Sequence, residues 1–218
     1  MLLDVGGILM LPEPELIRTV LAPLGVDVDA ATADAAHYRA AAAMGAGEAF
    51  GDAYVRALGV PAERTTEAMD VLAELFEDPD VVWTRTASGA HEGLAALATA
   101  GVRLGIVSNA DGLVARRLRA ASLVQVGDGP GLPVEVIVDS EIVGIAKPDP
   151  RIFEIALSAM AVRAAGAFYI GDIAPIDVAG ALAAGLTPIL LDPLGLQGPS
   201  SWHRVAALAD VVALVTAA

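Results

Sequence analysis

The chain has 218 residues, which is enough for one sizeable core or for a core with a small inserted domain. Its formal net charge of −14 repels phosphate backbones, so nucleic acid is excluded as a partner. No run of about 18 apolar residues lacks a charge, so we expect no membrane segment. Cysteine is absent, so we expect no disulfide. Because the start also has no signal-peptide pattern, we predict a cytoplasmic protein.

The first third of the chain combines a short apolar start with helical patterns only. Residues 1–3 are apolar and lead into Asp4, as at the end of a buried strand. Because strands typically run about five or six residues, we expect that the N-terminus is truncated or that its initiator was chosen incorrectly. Four helices are predicted next, bounded by glycine or proline: 13–24, 29–44, 48–58 and 61–76. No convincing strand lies between them.

From about residue 86 onward, helices alternate with apolar strands. The predicted strands span 102–107, 134–138, 167–170 and 187–191. The predicted helices span 89–100, 111–121, 149–162 and 177–184. This alternation predicts an α/β fold with a parallel sheet. The helical block that follows the first strand is then an inserted all-helical domain.

Polar residues follow three of these strands at the edge where ligands bind. Asp4, Ser108 and Asp172 each come within a residue of the end of an apolar strand, and ligands of open parallel sheets sit outside the carboxyl ends of the strands. A fourth residue, Lys147, is the only lysine among 13 basic residues, the others being arginine. A compact ammonium is therefore expected to be needed there, where a planar guanidinium would not substitute. We predict that the four side chains converge on one site.

These residue types suit phosphoryl transfer with a metal ion. A carboxylate can attack phosphorus, and two carboxylates such as Asp4 and Asp172 need a hard cation such as Mg²⁺ when a phosphate lies beside them. The hydroxyl of Ser108 and the backbone amides near Asn109 can donate to phosphate oxygens. Lys147 supplies a point charge to the phosphoryl group and to the attacking carboxylate.

Four segments resemble the signature motifs of the haloacid dehalogenase-like hydrolases, in the order of that family. They are LLDVGGIL at 2–9, IVSN at 106–109, AKPDP at 146–150 and IGDIAPIDVAGA at 170–181. The resemblance implies a Rossmann-like core made of residues 1–11 and 87–218. It also implies a helical cap, residues 12–86, inserted after the first strand.

By the same resemblance, Asp4 is the nucleophile, and Mg²⁺ is bound by Asp4, the backbone carbonyl of Gly6 and Asp172. Asp177, the last acidic position of the fourth motif, supports the metal directly or through a neighbouring group. The favoured function is a Mg²⁺-dependent phosphohydrolase that acts on a small phosphorylated metabolite through an aspartyl-phosphate. The metabolite is not predicted, because the insert sets specificity in this fold and its residues carry no readable code. The oligomeric state is not predicted either.

The sequence departs from the phosphatase pattern at Gly6. Phosphatases of the family usually carry an aspartate there, which protonates the leaving oxygen and then activates water, and losing such a group typically costs about 10²–10⁴-fold in rate. Either the substrate has a good leaving group, or another acid is recruited, for which Glu13, Glu15 and His37 are nearest in the sequence. Otherwise the protein is a weakly active or non-catalytic phosphate-binding protein. A 2-haloacid dehalogenase is a less favoured alternative.

The remaining charged and histidine residues have simpler explanations. His37, His91 and His203 lack metal-ligand spacing, and the favoured interpretation is that they are surface or capping residues. Arg18 and Arg39 lie on predicted helices of the insert, from which they could contact a substrate anion. Arginines on helix surfaces are common, however, so a solvent-facing position is the expected one for both.

Overall fold

The computed structural model describes residues 1–198 and 200–217, so Pro199 and Ala218 of the predicted core range lie outside the described residues. Ten strands in the described residues, β1 to β10, are numbered in chain order: Leu2–Leu3, Met10–Leu11, Arg85–Thr86, Gly105–Ser108, Val124–Val126, Leu132–Val134, Ile137–Asp139, Phe168–Gly171, Thr187–Leu191 and His203–Val205. Six of them form one parallel sheet in the order β10-β9-β8-β1-β4-β7. The predicted α/β fold with a parallel sheet is confirmed.

The sheet is covered by helices on both faces. The α-helices in the described residues, α1 to α11, span Pro14–Leu21, Ala30–Gly45, Phe50–Ala57, Thr65–Phe76, Pro79–Val82, Ala90–Thr99, Val114–Ala120, Ser140–Val143, Arg151–Ala159, Ala179–Ala183 and Val211–Thr216. Leu2 and Tyr169 pack on one face with α9, whereas Leu3, Ile106 and Ile170 pack on the other with α6 and α7. Because successive side chains of a strand point to opposite faces, a strand buried on both sides has to be apolar throughout, as these are.

Helices α1 to α5 form the insert between β2 and β3. They have an apolar cluster of their own, to which Ile17, Ala36, Tyr54 and Leu72 belong. Strands β2 and β3 pair antiparallel at the root of the insert and join it to the sheet. None of the helices in the described residues combines the length and the apolar character that a membrane crossing requires.

Several predicted boundaries shift for identifiable reasons. The helix predicted to end at residue 24 ends as an α-helix at Leu21 and continues as a 3₁₀ turn, Ala22–Leu24, because Pro23 has no N–H to donate. The strand predicted at 134–138 is divided between β6 and β7, since β6 leaves the main sheet to pair with β5. The short elements β5, β10 and α5 were not predicted, because three or four residues are too few for a periodic pattern.

Candidate active site

Asp4, Ser108 and Asp172 lie at the carboxyl ends of three adjacent strands. Strand β1 pairs with β4 on one side and with β8 on the other, so the residues that end these strands share one edge of the sheet. Ser108 is the last residue of β4, while Asp4 and Asp172 directly follow β1 and β8. The backbone N–H of Asp4 donates to the carbonyl of Ile170 at 2.9 Å, which extends the ladder up to the site. All three polar side chains are buried.

Lys147 lies at the centre of a buried polar network. Its Nζ lies 2.7 Å from Asp4 Oδ2 and donates to Asp177 Oδ1 at 2.8 Å and to the Tyr169 hydroxyl at 2.7 Å. These contacts use the three hydrogens of the ammonium group. The Tyr169 hydroxyl also lies 3.0 Å from Asp177 Oδ1. The sequence did not point to Tyr169, because a tyrosine within an apolar strand is typical of core packing.

Asn109 fixes the backbone of Lys147. The side-chain oxygen of Asn109 accepts from the Lys147 N–H at 2.7 Å, and its amide nitrogen donates to the Lys147 carbonyl at 3.0 Å. This double hydrogen bond spans 38 positions of the chain and holds the lysine at the sheet edge. Asn109 therefore positions Lys147 through its side chain, while its backbone amide remains a candidate phosphate donor. Ser108 Oγ makes no hydrogen bond within the described residues.

Asp177 holds the segment that carries Asp172. Its Oδ2 accepts from the backbone N–H groups of Asp172 at 3.1 Å and of Ile173 at 2.9 Å, and its Oδ1 is occupied by Lys147 and Tyr169. These contacts leave neither oxygen of Asp177 free of a protein partner.

His37, on α2 of the insert, reaches the sheet edge. Its Nε2 lies 2.8 Å from Asp172 Oδ2, across 135 positions of the chain, and both side chains are buried. The interpretation of His37 as a surface or capping residue was therefore wrong. No local pattern signals this contact, because it depends on how α2 docks onto the sheet.

Gly7 allows the two parts of the molecule to approach this closely. Its φ of +70° is a left-handed conformation that side chains rarely adopt. A Cβ at this position would collide with the Asp172 carboxylate and would lie 2.8 Å from His37 Nε2. The carbonyl of Gly7 also accepts a hydrogen bond from the Tyr38 hydroxyl of α2 at 2.7 Å. The turn after Asp4 is thereby tied to the insert.

The other insert candidates lie away from the site. Arg18 pairs with Glu15 one helical turn earlier, and both side chains are at least half exposed. Arg39 is exposed on α2, and Glu13 precedes α1. None of these four residues lines the cavity beside Asp4. Of the three acids proposed from the sequence, only His37 reaches the site, and its Nε2 is engaged with Asp172.

The charges at the sheet edge fit a divalent cation. Asp4, Asp172 and Asp177 each place one carboxylate oxygen within 4.8 Å of the others, and in the described residues Lys147 is the only lysine or arginine that forms an ion pair with them. Burial raises the pKa of Asp4 to about 6; Lys147 opposes this shift, and the Asp177 and Asp172 carboxylates add to it. Three carboxylates against one ammonium leave excess negative charge on hard oxygen donors, which suits Mg²⁺.

A cavity of about 370 Å³, here called the site cavity, opens beside the residues that follow Asp4. Its walls include Gly6, Ser108 and Asn109 of the sheet edge, and Phe76 and Trp83 of the insert. A Cβ at Gly6 would lie 3.6 Å from the Trp83 ring, an ordinary contact distance. Trp83 thus covers the position from which the family's second aspartate would act.

Among the described residues that line the site cavity, no carboxyl group is free to donate a proton. Asp111 is the only carboxyl group among its lining residues within the described chain. Hydrogen bonds from Arg117, one of them 2.8 Å from Nη1 to Oδ1, hold the pKa of Asp111 below its usual value. Arg117 also donates from Nε to Asp80 at 3.0 Å. Asp111 therefore stays ionised, and Arg117 is held by two carboxylates.

A family model and the curated relatives of the chain agree on one family. The model of the haloacid dehalogenase-like hydrolases matches residues 1–185. The chain is 36% identical over 137 residues to haloacid dehalogenase-like hydrolase domain-containing protein 3 of Mus musculus, covering 62% of this chain and 51% of that protein. It is 32% identical over 139 residues to a plasmid-encoded phosphoglycolate phosphatase of Cupriavidus necator, covering 64% of this chain and 57% of that protein.

A solved structure shares the fold over almost the whole length. The haloacid dehalogenase-type (HAD) phosphatase of Thermococcus onnurineus superposes with a TM-score of 0.59 at 20% identity, covering 98% of this chain and 96% of that one. By contrast, the chain spans about half the length of the curated relatives that it matches. The structural likeness shows the fold, and the family model shows the relationship.

Proposed function

The chain belongs to the haloacid dehalogenase-like hydrolase family, and from this premise we propose that it is a Mg²⁺-dependent phosphohydrolase that acts on a small phosphorylated metabolite. The observation that carries the proposal is the contact of Lys147 Nζ with Asp4 Oδ2 at 2.7 Å, beside the buried Asp172. A nucleophilic carboxylate, a fixed ammonium and a second carboxylate at one sheet edge are what phosphoryl transfer requires. The cap, residues 12–86, would then close over a core made of residues 1–11 and 87–218, in the cytoplasm.

In the proposed reaction, Asp4 attacks phosphorus and carries the phosphoryl group before water removes it. Lys147 orients the attacking carboxylate and draws charge from the phosphoryl oxygens. Ser108 Oγ and the backbone amide of Asn109 hold those oxygens at the start of the following loop. Mg²⁺, held by Asp4, the Gly6 carbonyl and Asp172 and supported by Asp177, would supply electrostatic stabilisation of the transferring group.

The site bears on two alternatives, one of which it favours and one of which it disfavours. Gly6, covered by Trp83, favours a weakly active or non-catalytic phosphate-binding protein, because no side chain there moves a proton. Displacement of halide from a 2-haloacid is less favoured. That reaction needs no divalent cation, and Asp172 and Asp177 would repel the carboxylate of a haloacid.

A metabolite panel tests the proposal. Phosphate esters and acyl phosphates are incubated with the protein, with and without Mg²⁺, and phosphate release is measured. We expect turnover that disappears with a chelator and in Asp4→Asn, which keeps the shape of the side chain but removes the nucleophile. Equal activity of Asp4→Asn on every hydrolysed compound would exclude Asp4 as the nucleophile. Chloride release from 2-haloacids without added metal would favour the dehalogenase instead.

A further inference from the structure

The insert places a ring of aromatic side chains above the sheet edge. His37, Phe50, Tyr54, Phe76 and Trp83 form a closed cycle, in which neighbouring ring centroids lie 5.6, 5.7, 6.5, 6.2 and 6.2 Å apart. These distances are those of favourable aromatic pairs. The whole chain has only nine aromatic residues, counting phenylalanine, tryptophan and tyrosine. Four of them in one cycle is a concentration that composition alone does not explain.

The cycle of aromatic side chains borders a second cavity of about 300 Å³ in the insert, here called the aromatic cavity. Phe50, Tyr54, Phe76 and Trp83 line it together with aliphatic side chains such as Leu72. The Tyr54 hydroxyl is buried and has no hydrogen-bond partner in the described residues, which is costly unless a ligand supplies one. A cavity lined by aromatic and aliphatic side chains is typical of a site for an apolar ligand.

The aromatic cavity lies next to the site cavity. Phe76 and Trp83 line both, and Trp83 is the side chain in contact with the position of a Cβ on Gly6. A ligand whose phosphate lies at Asp4 would therefore meet aromatic rings on the side of its leaving group.

Charge restricts what the leaving group can be. Arg117 is the only cationic side chain that lines either cavity in the described residues, and Asp80 and Asp111 already hold it. No free cation is left there to bind a second anionic group on the substrate. A carboxylate next to the phosphate would instead add to the negative field of the site carboxylates.

The ease with which the leaving group departs also favours an aromatic leaving group. With Gly6 in place of an aspartate, the leaving oxygen has no carboxylic donor, so a stable anion leaves most easily. A phenol has a pKa of about 10, as in tyrosine, whereas an alkyl alcohol is closer to water at about 15.7. An aryloxide can leave without a proton donor, and an alkoxide departs with difficulty.

We propose that the substrate is an aryl phosphate monoester, a phosphate on an uncharged aromatic ring, with the ring in the aromatic cavity and the phosphate at Asp4. This inference rests on the proposed function. As Asp4 forms its bond to phosphorus, the bond from phosphorus to the aryl oxygen breaks, and the aryloxide leaves with the electron pair and takes a proton from water. Water then attacks phosphorus, the bond to Asp4 breaks, and phosphate and a free carboxylate result.

Asp4→Asn lacks the nucleophile, so the binding of phosphate compounds to this variant measures recognition of the aromatic ring alone. How easily the aryloxide departs does not affect this measurement. Calorimetry with saturating Mg²⁺ compares 1-naphthyl phosphate, ethyl phosphate, phosphoglycolate and inorganic phosphate. We expect 1-naphthyl phosphate to bind at least about tenfold more tightly than the other two esters, because it alone buries a large apolar surface. In the parent protein, kcat/KM should follow the same order.

A cavity-filling variant locates the effect. Ala73, exposed on α4, lines the aromatic cavity, so Ala73→Phe should remove the preference for 1-naphthyl phosphate and leave the affinity for inorganic phosphate unchanged. Ala31→Phe, at an exposed position of α2 that lines neither cavity, is the matched control and should retain the preference. Thermal melting of both variants checks the fold.

The outcomes distinguish the two levels of the proposal. The protein could bind and hydrolyse phosphoglycolate or ethyl phosphate with the same affinity and the same kcat/KM as 1-naphthyl phosphate. This result would overturn the aryl inference and leave the proposed phosphohydrolase intact. A preference for 1-naphthyl phosphate that survives in folded Ala73→Phe would also overturn it, because the ring would bind elsewhere. Absence of binding and turnover for every phosphate compound would refute the proposed function, and the inference with it.

Discussion

The sheet edge and the insert contribute to the site in different ways. At the sheet edge, directional contacts fix each group: Lys147 donates to three oxygens, and both oxygens of Asp177 are occupied. The insert contributes mainly aromatic surface and one directional contact to a carboxylate, from His37 to Asp172. In the proposed function, the sheet edge carries out the reaction, whereas the insert selects the substrate.

Two of the contacts between these regions bear directly on the proposed reaction. His37 of α2 contacts Asp172, the proposed metal ligand, and Trp83 lies over Gly6, where a proton donor is missing. The missing donor and the aromatic surface are therefore adjacent. Variants at Gly6 and His37 test whether the sheet edge and the insert have these separate roles.

Gly6→Asp is expected to have the largest effect, because it gives the sheet edge its own proton donor. The variant should raise kcat on alkyl phosphates such as ethyl phosphate by about 10²–10⁴-fold, the usual contribution of general acid–base catalysis. A Cβ at this position would lie 3.6 Å from the Trp83 ring, so it would make an ordinary contact and no collision. Steady-state phosphate release is the measurement.

Gly6→Ala is the control for this gain, since it adds the Cβ without the carboxyl group. It should leave the rate on ethyl phosphate close to that of the parent. A gain equal to that of Gly6→Asp would mean that the effect is steric. No gain in folded Gly6→Asp would show that proton transfer does not limit this site.

Lys147→Met is expected to have the next largest effect. It removes the positive charge that orients Asp4 and offsets the charge on the transferring group, and losing one such electrostatic group typically costs about 10²–10³-fold in kcat. It also leaves Asp4 and Asp177 buried without their cation, for which about 3–5 kcal/mol of stability is a typical loss. Steady-state kinetics and chemical denaturation measure the two losses separately.

Lys147→Arg keeps the charge and tests the geometry. The planar guanidinium should not reproduce three contacts of 2.7–2.8 Å in this buried space, so kcat should fall nearly as far as in Lys147→Met. Full activity of Lys147→Arg would show that charge alone suffices. The explanation for the single lysine of the chain would then be wrong.

Much of the sheet edge could be predicted from the sequence because its information is local. Asp4, Ser108 and Asp172 each follow a short apolar run, and the sheet places the ends of such runs side by side. The contact of His37 could not be predicted, because it depends on the docking of a helix 135 positions away. Tyr169 was hidden for another reason, since its ring packs in the core and only its hydroxyl enters the network.

The same distinction explains the errors in the fold. The four helices predicted in the insert lie within about four residues of α1 to α4, because glycine or proline marks their ends. Strand β10 and helix α5 have three and four residues, too few to show a period. The strand predicted at 134–138 is divided because its first part, β6, pairs with β5 outside the main sheet, and β5 was itself not predicted.

His37→Ala should have an intermediate effect, on metal affinity. Removing an outer partner of a ligating carboxylate typically weakens metal binding by about 10–100-fold, and His37 is such a partner of Asp172. Calorimetric titration with Mg²⁺ measures the change without any substrate. His91→Ala, on the exposed side of α6, is the matched control. Unchanged Mg²⁺ affinity in His37→Ala would confine the metal site to the sheet edge.

The effect of pH should be the smallest. Because burial raises the pKa of Asp4 to about 6, this carboxyl group is protonated below that pH, and Mg²⁺ has to displace the proton. Mg²⁺ affinity should therefore fall about tenfold for each pH unit below the pKa and level off above it. Calorimetry across this range measures the slope. A constant affinity from about pH 7 to about pH 5 would contradict Asp4 as a metal ligand.

The central claim is that Asp4 carries the phosphoryl group, and trapping that group tests it most directly. Because no carboxylate at Gly6 activates water, the aspartyl-phosphate should be hydrolysed slowly and accumulate. The protein is mixed with 1-naphthyl phosphate and Mg²⁺, quenched in acid and digested, and its peptides are analysed by mass spectrometry. We expect a phosphoryl group on Asp4 that is absent from Asp4→Asn. Turnover by the parent with the phosphoryl group on another residue would contradict it.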